Sequence, residues 1–221
     1  MNFPDTTATP ESSVLILGNG TYPPDKIRNR IVSSFSSIIC ADGGSRTARE
    51  MDILPTAIIG DLDSSNKKDL KYFADRNVRI LHHTSQEEND LEKCLRYVFR
   101  RGYKRIGLLG FMGNRDDQSI ATLQIAKKYC RRAEITFWSK TSEFFFLVGE
   151  SHRFPTFLGQ TVSLFGWPRA FGVSTRGLQF PLVAETLGEG SRGASNSAVL
   201  DNVIIEITHG TLLIVKIGWA I

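Results

Sequence analysis

Cysteine and histidine are scarce in this chain, and their scarcity removes several kinds of protein at once. Three cysteines (Cys40, Cys94 and Cys130) in 221 residues are odd in number and widely spaced, so neither a disulfide frame nor a zinc site is expected. Reduced thiols of this kind predict a cytoplasmic protein. The four histidines, His82, His83, His152 and His209, include no pair at metal-ligand spacing. Nowhere does an apolar run approach the roughly 18 residues that a membrane-crossing helix needs, so no membrane partner is expected. The opening "MNFPDTTATPESS" lacks both a basic start and an apolar core, which argues against a signal peptide. It reads as a short disordered lead over residues 1–13. The chain also lacks a G-x-x-x-x-G-K-[ST] loop and a G-x-S-x-G elbow, which excludes a P-loop enzyme and an elbow-type hydrolase. Its excess of positive charge is small, +4. The densest basic clusters, "RYVFRRGYKR" and "KKYCRR", fall where helices should end and where the helix dipole favours cations. Nucleic acid is therefore not the expected partner, whereas a polyphosphate ligand would suit the same modest charge.

What is present is an ordinary globular composition, 41% apolar and 23% charged, laid out in two textures. Over residues 14–142 short apolar runs alternate with helical patterns. The runs "VLILGNG", "SIIC", "TAIIG", "VRIL", "RIGLLG" and "EITFW" are apolar throughout, as strands covered on both faces should be. Helices are predicted near 27–34, 44–51, 66–76, 89–101 and 117–131. The fourth is the clearest: Leu91, Cys94, Leu95, Val98 and Phe99 recur at helical spacing, with Asn89 placed to cap. Such alternation predicts an α/β domain with a mainly parallel, Rossmann-like sheet. From residue 143 to 221 aromatic and β-branched runs are cut by Gly and Pro. That texture predicts an all-β sandwich, too small at about 70 residues to stand comfortably alone.

In an open parallel sheet, ligands bind beyond the carboxyl ends of the strands. Five successive strand ends here carry polar, Gly-rich loops: "GNG" with Asn19, "ADGGSR" with Asp42, Gly43 and Gly44, "GDLDSS" with Asp61 and Asp63, "TSQEEND" with Gln86 and Asp90, and "GFMGNRDDQ" with Arg115 and Asp117. Each has an ordinary structural reading as well. "GNG" makes a tight turn, Asp42 a helix cap, and Asp90 an acid favoured in a first helical turn. Asp61 and Asp63 stand before the capping position, and two like charges so close call either for open water or for a cation. Recurrence of acids at one end of successive strands, beside glycines, Lys93 and Arg115, fits a magnesium–polyphosphate. Mg²⁺ takes oxygen ligands, backbone N–H groups beside glycine meet phosphate, and Lys93 and Arg115 offset negative charge.

Taken in order, "ADGG", "GDLDS", "QEENDLEK", "GNRDD", "GLQFPL" and "ASN" resemble the motifs of the thiamin pyrophosphokinase (thiamine diphosphokinase) family, and the likeness runs through nearly everything after residue 13. The resemblance implies transfer of the terminal pyrophosphoryl group of ATP to the hydroxyethyl oxygen of thiamin, with release of AMP. It further implies Mg²⁺, a nucleotide-holding α/β domain, a thiamin-binding β-sandwich and a homodimer. Carried over by position, Asp61, Asp63 and Asp90 match the magnesium-binding acids. Lys93 joins these three acids as catalytic, and Asp42, Gly43, Gly44, Gln86, Arg115 and Asp117 fall in the nucleotide site, to which Asn19 of the first strand-end loop is added. Phe180, Ser195 and Asn196 match the thiamin side. Three positions depart from the usual pattern: Asn89 for Thr, Gln118 for the His of many bacterial members, and Phe180 for Trp. The rival readings are a pyrophosphokinase of the same architecture acting on another heterocyclic alcohol, such as a pterin, and a nucleotide-binding module without catalysis.

Overall fold

The computed structural model describes residues 12–219 apart from 64, 85, 86 and 150. The expected lead therefore lies almost wholly outside the described residues, as does Gln86. The chain divides into two compact units, one reaching to Ile125 and taking in Arg132–Lys140, the other made of Ala126–Arg131 and the chain from Thr141 onward.

In the first unit six strands, β1 (Ser13–Leu17), β2 (Ser37–Ala41), β3 (Ala57–Gly60), β4 (Arg79–His82), β5 (Arg105–Leu109) and β6 (Glu134–Trp138), lie in the order β4-β3-β2-β1-β5-β6. Every pair among them is parallel. Every residue of β1 is buried, which is why its sequence is apolar without alternation. Five helices join the strands: α1 (Asp25–Ser33), α2 (Gly44–Glu50), α3 (Lys67–Ala74), α4 (Asp90–Phe99) and α5 (Asp116–Tyr129). The Asn89 side chain accepts the Glu92 N–H (3.0 Å) and caps α4, whose Leu91, Cys94, Leu95 and Val98 are buried. Asn66 caps α3 in the same way through the Lys68 N–H (2.9 Å). Asp42 is different: no side chain caps α2.

The second unit holds β7 (Ser142–Leu147), β8 (Ser151–Pro155), β9 (Thr161–Arg176), β10 (Glu185–Leu187), β11 (Gly193–Ser197), β12 (Asn202–Glu206) and β13 (His209–Ile217). Their pairs are all antiparallel, in the order β7-β13-β9-β12-β8, with β10 and β11 also on β9. One apolar cluster, including Phe145, Phe154, Leu164, Val173, Ile205 and Ile214, fills this unit. Pairing over the whole chain is therefore mixed, not mainly parallel as the sequence led us to expect. Among the described residues after Thr141 there is no helix to supply the crossover that a parallel pair usually requires. Among the described residues no helix is long and apolar enough to cross a membrane.

Buried thiols give a first expected result. Cys40 and Cys94 are fully buried, and burial pushes both thiols well above their ordinary value of 9.0. The Cys130 thiol, half-buried, is raised by the same cause. Native protein should expose at most Cys130 to a thiol reagent at pH 8, and three thiols after denaturation. Only the unfolded chain gains by ionising Cys40 and Cys94, so stability is whole below pH 9 and falls above it. The slope is up to about 1.4 kcal/mol per pH unit for each thiol. Rapid labelling of three thiols in the folded protein would contradict the buried placement.

Candidate active site

Strand order reverses between β1 and β5, and in an open parallel sheet that switch point opens a crevice beyond the carboxyl ends. Here the loops after β1 and β5 touch. The Gly18 N–H donates to the Leu109 carbonyl (2.7 Å), and a Cβ on Gly18 would collide with the Gly110 carbonyl oxygen and the Phe111 ring. Only glycine permits the two backbones to come this close. Beside them lies a cleft of about 780 Å³. Asn19, Asp42, Gly43, Asp61, Asp63, Asp90, Lys93 and Arg115 all line it, so residues from five separate strand-end segments meet in one place. Gly44 and Asp117 are not among the lining residues. A Cβ on Gly44 would run into the Leu17 carbonyl, so this glycine serves the packing of α2 against β1.

Asp42 is buried, and the Ser65 hydroxyl donates to its carboxylate (2.5 Å) while standing 3.1 Å from the Ser45 hydroxyl. A helix cap is thus not its use. Its carboxylate joins those of Asp61 and Asp90: each offers an oxygen, and the three oxygens lie within 4.8 Å of one another. Asp63 is exposed and stands outside this trio, although its backbone N–H points to the Asp61 carboxylate (3.4 Å). Between the two acids Leu62 takes a left-handed backbone (φ 64°), which breaks the extended alternation that would have put both carboxylates on one side. Three hard oxygen donors with no nitrogen or sulfur among them fit a small divalent cation such as Mg²⁺. Lys93, itself 4% exposed, donates from Nζ to the Asp90 carboxylate (2.9 Å) across one turn of α4. It brings a fixed positive charge to the same wall.

Arg115 and Asp117 form a two-pronged pair at the mouth, both exposed. Hydrogen bonds from Arg115 hold the Asp117 carboxyl below the usual carboxylate range, and the same contact raises the guanidinium. An exposed pair of this kind breaks readily in favour of a stronger anion, which leaves Arg115 able to turn to phosphate. Sequence reasoning did not count Glu87, Phe111, Asn114 or Thr122 among the cleft residues. Thr122 is buried, and its hydroxyl reaches the Phe111 and Gln118 carbonyls (3.0 and 2.9 Å), tying α5 to the loop after β5. That loop was visible as a strand end, but a threonine one and a half turns into α5 carries no signal of its own.

Phe180, Ser195 and Asn196 belong to the second unit. Phe180 and Ser195 are exposed, while Asn196 is buried.

Residues 29–138, the stretch that supplies most of this cleft, match the sequence model described as thiamin pyrophosphokinase, catalytic domain. The chain belongs to the thiamin pyrophosphokinase family. A thiamine pyrophosphokinase of Saccharomyces cerevisiae is 30% identical over 96 residues, a match that takes in 39% of this chain and spans 30% of that relative's own length. Among solved structures, the thiamine pyrophosphokinase of Bacillus subtilis is similar in fold, with a TM-score of 0.83 at 15% identity over 95% of this chain and 100% of that one. The thiamin pyrophosphokinase of Candida albicans gives 0.80 at 18% identity over 94% and 89%. At such identities the likeness is one of fold. Within the thiamin pyrophosphokinase family match lie Asp42, Asp61, Asp63, Asp90, Lys93, Arg115 and Asp117, whereas Asn19 and the chain from Thr141 onward fall outside it.

Proposed function

We propose that the chain is a thiamin pyrophosphokinase that moves the terminal pyrophosphoryl group of ATP to the hydroxyl of thiamin, giving thiamin diphosphate and AMP. The observation that carries this reading is the convergence of Asp42, Asp61 and Asp90, with Lys93, in a glycine-walled cleft at the switch point of a parallel sheet. In it the first unit acts as a Rossmann-like nucleotide-binding domain, with boundaries near 14–142, and residues 143–221 act as a thiamin-binding β-sandwich. ATP and thiamin are the small-molecule partners, the chain works in the cytoplasm as a homodimer, and neither nucleic acid nor membrane takes part.

Asp42, Asp61 and Asp90 would hold Mg²⁺, which would supply Lewis-acid stabilisation of phosphate charge. Lys93 fixes Asp90 and adds a cation near the transferred group, where charge spreads as the bond breaks. Arg115 exchanges Asp117 for a phosphate oxygen, and Asn19, Gly43 and Gln86 hold the nucleotide. Asp63 takes the proton of the thiamin hydroxyl: it lines the cleft and stands outside the trio of Asp42, Asp61 and Asp90. Asp63→Asn should accordingly cut kcat by roughly a hundredfold with little change in metal affinity. An unchanged kcat would remove Asp63 from the chemistry.

Incubation with ATP, Mg²⁺ and thiamin, followed by mass analysis, tests the reading. Thiamin diphosphate and AMP are expected, and a chelator should stop their formation until Mg²⁺ is restored. ADP with a monophosphorylated product would make the protein an ordinary kinase. Full activity from a chain that sediments as a monomer would take the homodimer out of the account.

A further inference from the structure

Asn196 carries the substrate-side motif by sequence, yet its side chain is turned inward. Its amide nitrogen donates to the Phe180 carbonyl (2.6 Å), and its amide oxygen accepts the N–H groups of Phe180 (3.1 Å) and Ser197 (2.9 Å). At 8% exposure it has little surface left for a ligand. Phe180, by contrast, shows 62% of its surface to solvent. A lone exposed phenylalanine is common, but a floppy segment is not what presents this one. Leu178 and Leu182 on either side are buried. The Gln179 N–H donates to the Ser197 carbonyl (2.8 Å), the Leu182 N–H to the Thr175 hydroxyl (2.9 Å), and the Ala184 N–H to the Ser174 hydroxyl (3.0 Å). The segment is tied down at almost every residue, and its one large ring is left in water.

The neighbouring Ser195 adds to the pattern. It is exposed, it holds a left-handed backbone (φ 59°), and its N–H is pinned to the hydroxyl of the buried Ser163 (2.9 Å). Non-glycine residues persist in that conformation when their surroundings enforce it, and such enforcement concentrates at functional positions. Here it coincides with an irregularity in the pairing of β11 with β9.

We propose that Asn196 is a positioning residue: it clamps the segment that presents the Phe180 ring, and the ring with the Ser195 hydroxyl, not the Asn196 amide, meets the acceptor. The acceptor class that suits them is a flat, cationic, partly apolar heterocycle, held by stacking and by one hydroxyl. Assigning that surface to the acceptor rests on the thiamin reading above; the clamp itself does not.

Two readouts separate these parts. Amide hydrogen exchange at Phe180 should quicken by at least roughly tenfold in Asn196→Ala, since its N–H loses its acceptor, while exchange in β13 stays as in the parent. In steady-state assays Asn196→Ala and Phe180→Ala should each raise the KM for thiamin by roughly tenfold, a loss of about 1.4 kcal/mol, and leave the KM for ATP within about twofold. Because both changes remove the same platform, the double variant should be no worse than Phe180→Ala alone. Should Asn196→Ala fail to fold, Asn196→Asp keeps both accepted bonds but sets a carboxylate oxygen against the Phe180 carbonyl where the amide donated, so it should loosen the same clamp and raise the KM for thiamin. Additive KM effects in the double variant would put Asn196 on the acceptor directly and overturn the proposal, as would unchanged exchange at Phe180. A parent chain that does not turn over thiamin would remove the acceptor assignment, and hydrogen exchange would then decide the clamp by itself.

Discussion

Asp61→Asn should lower pyrophosphoryl transfer by roughly a thousandfold or more and leave the fold intact. Its carboxylate is one of three whose oxygens crowd within 4.8 Å, and asparagine keeps the shape while removing the charge that a cation needs. Without metal the three anions repel one another, so the melting temperature of the metal-free variant should stay level or rise slightly. With saturating Mg²⁺ the parent should gain stability by mass action, and the variant should gain far less. Asp42→Asn should behave alike in activity but lose some stability, because the Ser65 hydroxyl is bonded to that buried carboxylate. Near-normal turnover of Asp61→Asn at saturating Mg²⁺ would show that the trio is not the metal site.

The second large effect is on stability and needs no assay. Gly44 opens α2 against the end of β1, and a methyl group there meets the carbonyl carbon and oxygen of Leu17, which are fixed backbone atoms. Gly44→Ala should therefore cost about 3 kcal/mol, since neither partner is a side chain that can swing aside. For a chain of this size that is a fall in melting temperature of roughly 6–12 °C. The same change at Gly149, where a Cβ meets nothing within 4 Å, tests backbone preference alone (φ 72°) and separates strain from collision. A Gly44→Ala protein that melts with the parent would mean that α2 can shift away from β1 freely.

Much of this was legible before any coordinates. The inner strands β1, β3 and β5 of the first unit read as apolar on both faces, which a covered parallel sheet requires, and the acids stood at strand carboxyl ends. Asp42, Asp61 and Asp90 could thus be gathered to one edge by rule. Their grouping could not, because it depends on single backbone angles. Asp61 and Asp63 look like the natural pair at a spacing of two, but Leu62 turns the chain between them, and Asp42 from the neighbouring loop takes the third place. Mixed pairing over the whole chain was missed as a statement about sheets, although the change of texture after residue 142 was plain. Asn196 shows a third limit. Its motif marks it as polar and important, yet only the hydrogen bonds to Phe180 tell a clamp from a ligand.

The most direct test of the central claim follows the phosphorus atoms of ATP through one turnover with thiamin and Mg²⁺. Label at the α position should be recovered in AMP, and label at the γ position in the thiamin product, with both transferred phosphates traced to the same ATP. Recovery of α label in ADP, with a single labelled phosphate on the acceptor, would contradict pyrophosphoryl transfer.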